Sequence, residues 1–341
     1  MAVDVRRIPS TLLAGLLLAA TAPARAANLS TLDPAGPSAA AIRELLMLVT
    51  AIAAVIFLAV VSTLIYCIVH FRERSAAPEA EPPQIYGSTP IETAWTVGPI
   101  LIVFVLTLVI IRTVVEARQV DPQPGAMNVR VIGHQWWWEY QYPDQGVVTA
   151  NEMHIPVSRP NLARPIRLRL ESADVIHSFW VPRLAGKTDL IPGHPNEMGF
   201  EAAEEGVFQG QCAEYCGRQH ANMMIRIVVE TPAQFEEWIQ AQHRPAVAAA
   251  EKLSGSGLFV AETCANCHTI RGTPAAGTVG PDLTHLASRQ TIAAAEIPND
   301  RKNLSAWLNN PDVLKPGCRM PDLKLSQNDI ASLVSYLETL R

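Results

Sequence analysis

Between Cys212 and Met223 the chain reads Cys212-Ala213-Glu214-Tyr215-Cys216-Gly217-Arg218-Gln219-His220-Ala221-Asn222-Met223, and His177 lies at the end of an earlier apolar segment. Two thiolates, two imidazoles and a thioether make a soft donor set that suits copper, whereas a hard cation would call for oxygen ligands. Zinc competes, because two Cys and two His close an ordinary tetrahedral site. A disulfide competes as well if the segment is exported. Met223 weighs towards copper, since zinc does not need it and a disulfide does not explain it. Further along, Cys264-Ala265-Asn266-Cys267-His268 has the C-x-x-C-H pattern of covalent c-type haem attachment, in which two thiols add to the haem vinyls and the adjacent His ligates iron.

These residues need elements to hold them. From Asn128 to Glu230 short alternating runs such as Ile166-Arg167-Leu168-Arg169-Leu170 are separated by Pro, Gly and Asn, which indicates a β-sandwich or barrel with Ile166, Leu168 and Leu170 inward and Arg167 and Arg169 in solvent. In the strand through Trp136-Trp137-Trp138 alternate rings face opposite sides, so at least one reaches the surface. Pro232 to Gln240 is amphipathic, and the run from Arg244 to Ala250 has the composition of a linker. In the segment that follows, Ser326 to Asp329 forms a capping box opening a final helix through Leu340. Met320 and His285 are the candidates for the second axial position on the haem iron.

The N-terminal region reads differently. Arg6 and Arg7 precede a short apolar run from Leu12 to Ala20, and Ala24-Arg25-Ala26 fits a small-x-small cleavage site, so residues 1–26 are read as a signal peptide. No Asp, Glu, Lys or Arg occurs between Glu44 and Arg72 or between Glu92 and Arg112, and both stretches are long enough to cross a bilayer. Loop charges are balanced and do not orient the hairpin. A cleaved signal leaves the new N-terminus outside, and two spans return the chain there. With 17% charged residues, 49% hydrophobic residues and a net charge of -5, the chain fits neither a disordered protein nor a nucleic-acid binder. Glu92 sits at the membrane border, interfacial by default. Cys67 and Cys318 are read as small packing residues.

The string Cys-x-Glu-x-Cys-x-x-x-His-x-x-Met, with His177-Ser178-Phe179-Trp180-Val181-Pro182 upstream, resembles the copper-A domain of cytochrome c oxidase subunit II. The likeness runs from about Arg43 to Gln240 and includes the aromatic stretch Gly133 to Tyr140, in which Trp137 stands where Tyr is common. The Pro316 to Pro321 loop around Met320 resembles the Met loop of class I cytochromes c, and Gly280 to Leu283 fits the same pattern. The combination is similar to subunit II of caa3-type haem-copper oxidases.

The resemblance implies a two-helix transmembrane hairpin (41–118), then an all-β cupredoxin-like copper-A domain (121–240), a linker (241–250) and an all-α class I cytochrome c domain (251–341). It implies a dinuclear copper A bridged by Cys212 and Cys216, with His177, His220, Met223 and the Glu214 carbonyl completing it. Covalent haem c would be carried by Cys264 and Cys267 with His268 and Met320 as axial ligands. Trp136 would be the ring through which electrons come in. The Glu214 side chain would help hold a magnesium at the face towards subunit I, which the Lys187 to Gly193 stretch also meets. Glu92 would be a proton-path entrance. The partners implied are subunit I, where oxygen is reduced with proton pumping, subunit III, and cytochrome c or another upstream donor. The chain would be a multi-pass protein of the bacterial inner membrane, with its copper and haem domains on the periplasmic side. A near-neutral haem domain on a tether with an r.m.s. reach of about 17 Å would find the copper by local concentration instead of charge. A free-standing membrane-anchored carrier and a copper-delivery protein are the rival readings. The first would leave Glu92 and the Lys187 to Gly193 stretch without a purpose, and a covalent haem argues against the second.

Overall fold

The computed structural model describes residues 29–72, 84, 86–118, 125–159, 161–245 and 254–341. The signal peptide expected at residues 1–26 and residues 246–250 of the expected linker lie outside the described residues.

The two charge-free stretches form helices α1 (Pro37–His70) and α2 (Thr89–Arg118). Pro37 at the first position of α1 gives up only an N–H that no helix could satisfy there. Both helices are apolar on every side, and the Ile, Val, Leu and Phe side chains along them are exposed on the isolated chain. At about 1.5 Å per residue each exceeds the roughly 30 Å of hydrocarbon, so they are the membrane hairpin. The segment before α1 fastens that hairpin to the next domain. The Ala35 N–H donates to the Arg183 carbonyl and the Ala35 carbonyl accepts from Ala203, both at 2.7 Å. Gly36 passes so close to the Glu201 carbonyl that any Cβ would collide with it.

The middle domain stacks two five-stranded sheets. One has the order β3-β2-β1-β5-β8, built from β1 (Met127–His134), β2 (Trp137–Tyr142), β3 (Val147–Ala150), β5 (Ile166–Ser172) and β8 (Asn196–Phe200). The other has the order β4-β10-β9-β6-β7, built from β4 (Glu152–Pro156), β6 (His177–Trp180), β7 (Thr188–Leu190), β9 (Gly206–Cys212) and β10 (Met224–Glu230). The pairs β1–β5 and β4–β10 are parallel and the remainder antiparallel. Alternation buries Ile166, Leu168 and Leu170 and leaves Arg167 and Arg169 outside, as the pattern required. Of the three tryptophans Trp138 is fully buried in the core, while Trp136 is only partly so. Helix α3 (Pro232–Gln242) closes the domain, with the Thr231–Gln234 capping box at its start and Phe235 and Ile239 buried beneath it.

The C-terminal domain is helical around the C-x-x-C-H turn: α4 (Ser254–Ala261), α5 (Arg301–Asn309), α6 (Pro311–Leu314) and α7 (Gln327–Leu337). Helices α4 and α7 cross where Gly255 meets the Ser332 carbonyl, a contact that only a residue without Cβ allows. Phe259 and Tyr336 pack edge to face beside it at 6.1 Å. Ser326 caps α7 as expected, but the helix stops at Leu337. The last residues tighten instead, with Leu340 N–H donating to the Leu337 carbonyl at 3.2 Å, and the Leu340 carbonyl accepts from Ala287 at 2.8 Å.

The picture of a haem domain reaching the copper by local concentration alone needs correction. The two domains are packed on each other: Gln219 Nε2 donates to the Pro316 carbonyl at 2.5 Å and Arg271 to the Gln242 carbonyl at 2.5 Å.

Candidate metal centre and haem site

Strands β9 and β10 pair antiparallel, and the loop between them carries most of the donors. That loop is pinched shut by the Cys212 N–H donating to the Met223 carbonyl at 3.0 Å. Strand β6 lies beside β9 and presents His177 at its first residue. Gly133 on β1 leaves room for that imidazole, since a Cβ there would lie 2.8 Å from its Cδ2 atom.

The side chains converge on two sulfurs. Cys212 Sγ lies 3.9 Å from His177 Nδ1 and 3.2 Å from the Glu214 carbonyl oxygen. Cys216 Sγ lies 3.7 Å from His220 Nδ1 and 3.9 Å from Met223 Sδ. The two sulfurs are 3.7 Å apart, against about 2.05 Å for a disulfide, and both thiols are free, so the disulfide reading fails. A single tetrahedral zinc would use four donors. Here five side-chain donors and a carbonyl divide into two lobes joined by the sulfurs, which suits a pair of soft ions bridged by thiolates.

Burial tunes the set. The thiol-to-thiol hydrogen bond, reinforced by His177, lets Cys212 ionise well below the ordinary thiol range, while the same partner and burial push Cys216 up. Thiols bind metal as thiolates, so the protons that the pair holds leave as metal binds. Burial pulls His177 down, but bonds to Asp174 and Cys212 outweigh it and leave it raised.

One supporting residue, Asp174, belongs to no motif. Asp174 Oδ1 accepts from His177 Nε2 at 2.9 Å, which turns Nδ1 towards the sulfurs. Carboxylates in this position orient metal-bound imidazoles and raise their basicity. Asp174 Oδ2 in turn accepts from the Gln135 N–H at 2.7 Å, and Gln135 Nε2 donates to the Cys216 carbonyl at 2.7 Å. Trp136 Nε1 donates to the same carbonyl at 2.9 Å, so its ring edge sits on Cys216. Lys187 Nζ lies 3.5 Å from the Ala213 carbonyl at the edge of the β9–β10 loop.

Glu214 is half-buried, and its carboxylate makes no hydrogen bond or ion pair among the described residues. Glu92 lies in the first turn of α2, far along the chain from the copper loop, where its Oε1 accepts from the Ser88 N–H at 3.2 Å. Cys67 is exposed on α1, and Cys318 Sγ lies 3.6 Å from the Met320 carbonyl inside the Met loop.

In the helical domain a short 3-10 turn spans Cys264–Asn266, and the His268 N–H donates to the Cys264 carbonyl at 3.0 Å. His268 Nδ1 donates to the Pro281 carbonyl at 2.8 Å, which fixes the ring and leaves Nε2 for iron. Gly280 makes this fit, because a Cβ would come within 2.6 Å of the imidazole. Burial holds His268 below its usual pKa and so favours the neutral, ligating form. Met320 Sδ accepts from Trp307 Nε1 at 3.1 Å. His285 is occupied elsewhere, with Nε2 3.2 Å from the Gln242 carbonyl. These side chains fit a covalently held haem with His268 on one face.

Comparison with known proteins adds three family models. Cytochrome c oxidase subunit II, transmembrane domain, matches residues 24–112; its periplasmic domain matches residues 150–231; cytochrome c matches residues 253–341. The chain is 33% identical to cytochrome c oxidase subunit 2 of Alkalihalophilus pseudofirmus, over 92% of this chain and 91% of the relative. It is 31% identical to cytochrome c oxidase subunit 2 of Bacillus subtilis, over 92% of each. Among solved structures, the periplasmic domain of subunit II of cytochrome oxidase of Bradyrhizobium japonicum covers 37% of this chain and 96% of its own length, at 34% identity and a TM-score of 0.33.

Proposed function

Because the chain belongs to the cytochrome c oxidase subunit II family, we propose that its fused cytochrome c domain takes electrons from a donor and relays them through copper A towards subunit I, where oxygen is reduced. It is a membrane-spanning subunit of a proton-translocating oxidoreductase and associates with subunit I. The family carries copper A in the first soluble domain and haem c in the second. When bound, the copper pair and the haem iron each accept and release one electron at a time.

The observation that carries this reading is the donor cluster around two free sulfurs: Cys212 and Cys216 would hold the copper pair together with His177, His220, Met223 and the Glu214 carbonyl. Strands β6, β9 and β10 hold these atoms in a dry core, so little needs to move when charge changes. Asp174 keeps His177 aimed at the sulfurs. Trp136 offers a partly exposed ring bonded to the Cys216 carbonyl, which supports it as the electron inlet. Cys264 and Cys267 would tether the haem, with His268 and Met320 as its axial ligands. Trp307 holds the Met320 sulfur.

Further roles follow as parts of the same proposal. The unpartnered Glu214 carboxylate would supply this chain's share of a magnesium site whose other ligands come from subunit I. Glu92, at a water-facing helix start, would collect protons for a path in subunit I. Subunit III and an external cytochrome c or other upstream donor complete the assembly. Residues 1–26 would direct export and be removed, residues 41–118 anchor the chain in the bacterial inner membrane, and residues 121–240 and 251–341 stand as periplasmic domains joined by 241–250.

Metal and haem content with electron paramagnetic resonance on the purified complex tests the assignment. We expect two coppers and one covalent haem per chain with a mixed-valence copper signal; a mononuclear copper or zinc signal would contradict it.

A further inference from the structure

Two buried charges reach across the contact between the copper and haem domains, one from each side. Lys315, just after α6, is 3% exposed, and its Nζ donates to the carbonyls of Trp136 at 3.0 Å, Asn222 at 2.8 Å and Ala293 at 3.0 Å. The first two belong to the copper domain, where Asn222 immediately precedes Met223. The third opens a run of left-handed alanines, Ala293, Ala294 and Ala295, with φ of 57°, 63° and 59°. Such backbone is costly for a residue with a Cβ and persists where its surroundings hold it.

The reciprocal contact comes from Glu152 at the start of β4, which is 2% exposed. Its two oxygens each accept from the Gln290 N–H at 3.1 Å, and Oε1 accepts from Thr291 Oγ1 at 2.5 Å. Arg226 Nε lies 3.4 Å from the same carboxylate, while Arg226 Nη2 donates to Gln290 Oε1 at 2.5 Å. Burying a charge is expensive unless its hydrogen bonds are made, so each residue tolerates few placements of the opposite domain. A shifted docking would strand a lysine or a carboxylate without partners. Such groups select a register more than they add affinity. Burial pulls the Lys315 ammonium down to about 8, which leaves it protonated at neutral pH and able to donate to its carbonyl acceptors.

The register they select has a consequence at the metal site. Arg319, adjacent to Met320, donates to Gln135 Oε1, and Gln135 Nε2 donates to the Cys216 carbonyl at 2.7 Å. Gly317 lies against the Arg218 side chain of the copper loop, and Pro316 accepts from Gln219. The Met loop is thereby joined to the bridging cysteine through two side chains, independently of the Trp136 ring.

We propose that Lys315 and Glu152 are positioning residues that lock the haem domain in one register on the copper domain, so that the Arg319–Gln135 bridge links the Met320 loop to Cys216. The lock deepens the relay reading above and rests on it for its purpose. In the relay one electron leaves the ferrous haem and arrives on the oxidised copper pair, with no bond made or broken and no proton transferred.

The test uses the intact chain in the purified oxidase complex, comparing Lys315→Met and Glu152→Gln with the exposed control Lys324→Met. Hydrogen exchange is read on residues 134–138, 219–224 and 290–296, and haem-to-copper electron transfer is followed after flash reduction of the haem. We expect both latch variants to exchange about tenfold faster in these segments, and the control not to. With the haem spectrum and copper signal unchanged, electron transfer should slow by about tenfold and become multiphasic, because the partners no longer share one geometry. Unchanged exchange in both latch variants overturns the lock. Faster exchange with an unaltered transfer rate overturns the positioning role. If Lys315→Met does not assemble, the isosteric Glu152→Gln carries the same expectation alone. Absence of haem-to-copper transfer in the unaltered protein would defeat the relay reading instead, whatever the exchange result.

Discussion

His177 Nε2 sits 2.9 Å from Asp174 Oδ1, so one carboxylate decides which face of the imidazole meets the sulfur of Cys212. The same Asp174 receives the backbone N–H of Gln135 and therefore ties His177 to the β1–β2 turn that carries Trp136. Asp174→Asn removes the charge and leaves the shape. We expect the β-domain to fold normally and copper affinity to fall by about 10- to 100-fold, measured by chelator competition. Unchanged affinity would reduce Asp174 to a turn-forming residue.

Cys216→Ser should abolish the two-copper signal while covalent haem is retained, because Cys216 belongs to the β-domain core and Cys264 and Cys267 to the helical one. Pyridine haemochrome assay and electron paramagnetic resonance on one preparation read both. A surviving mixed-valence signal would show that Cys216 does not bridge.

Met320→Ala should lower the haem potential and open the iron to external ligands such as cyanide, since a thioether ligand raises the potential. His285→Ala should do neither, because His285 is engaged with the Gln242 carbonyl. Redox titration with ligand binding distinguishes them, and the reverse pattern would move the axial role to His285.

Trp136 has two jobs that substitution can separate. Its ring would conduct electrons, and its Nε1 holds the Cys216 carbonyl. Trp136→Phe should keep copper content with a modest loss of rate, and Trp136→Ala should slow copper reduction severely at full copper occupancy. Normal turnover in Trp136→Ala would make the ring a packing residue.

Glu92 also has a structural duty, accepting the Ser88 N–H at the start of α2. Glu92→Gln keeps an acceptor oxygen and removes the titrating group. Oxygen consumption should therefore fall in both Glu92→Gln and Glu92→Ala, while copper reduction by the haem keeps its rate. A defect confined to Glu92→Ala would assign Glu92 to helix capping alone.

The candidate donors to metal and haem were legible because they are short-range patterns. Cys212, Cys216, His220 and Met223 share one loop, and Cys264, Cys267 and His268 one turn. The alternation of Ile166, Leu168 and Leu170 gave the sheet its inner face for the same reason. Asp174 was not legible, since a lone acid three residues before a His has no signature until the chain turns it back. Lys315 and Glu152 were further out of reach. Their partners are backbone groups 179, 93 and 138 residues away, and a backbone carbonyl or N–H leaves no mark on residue type. The docked domain contact therefore belongs to tertiary structure alone, and a linker composition by itself suggested free movement.

The order of electron arrival tests the relay most directly. Stopped-flow mixing of the oxidised, intact complex with a reduced external donor, under carbon monoxide to block oxygen reduction, follows haem c and copper A by their separate absorptions. We expect haem c to be reduced first and the copper pair to follow at a rate independent of donor concentration. Copper reduced ahead of the haem, or at a rate that rises with donor while the haem lags, would contradict the relay.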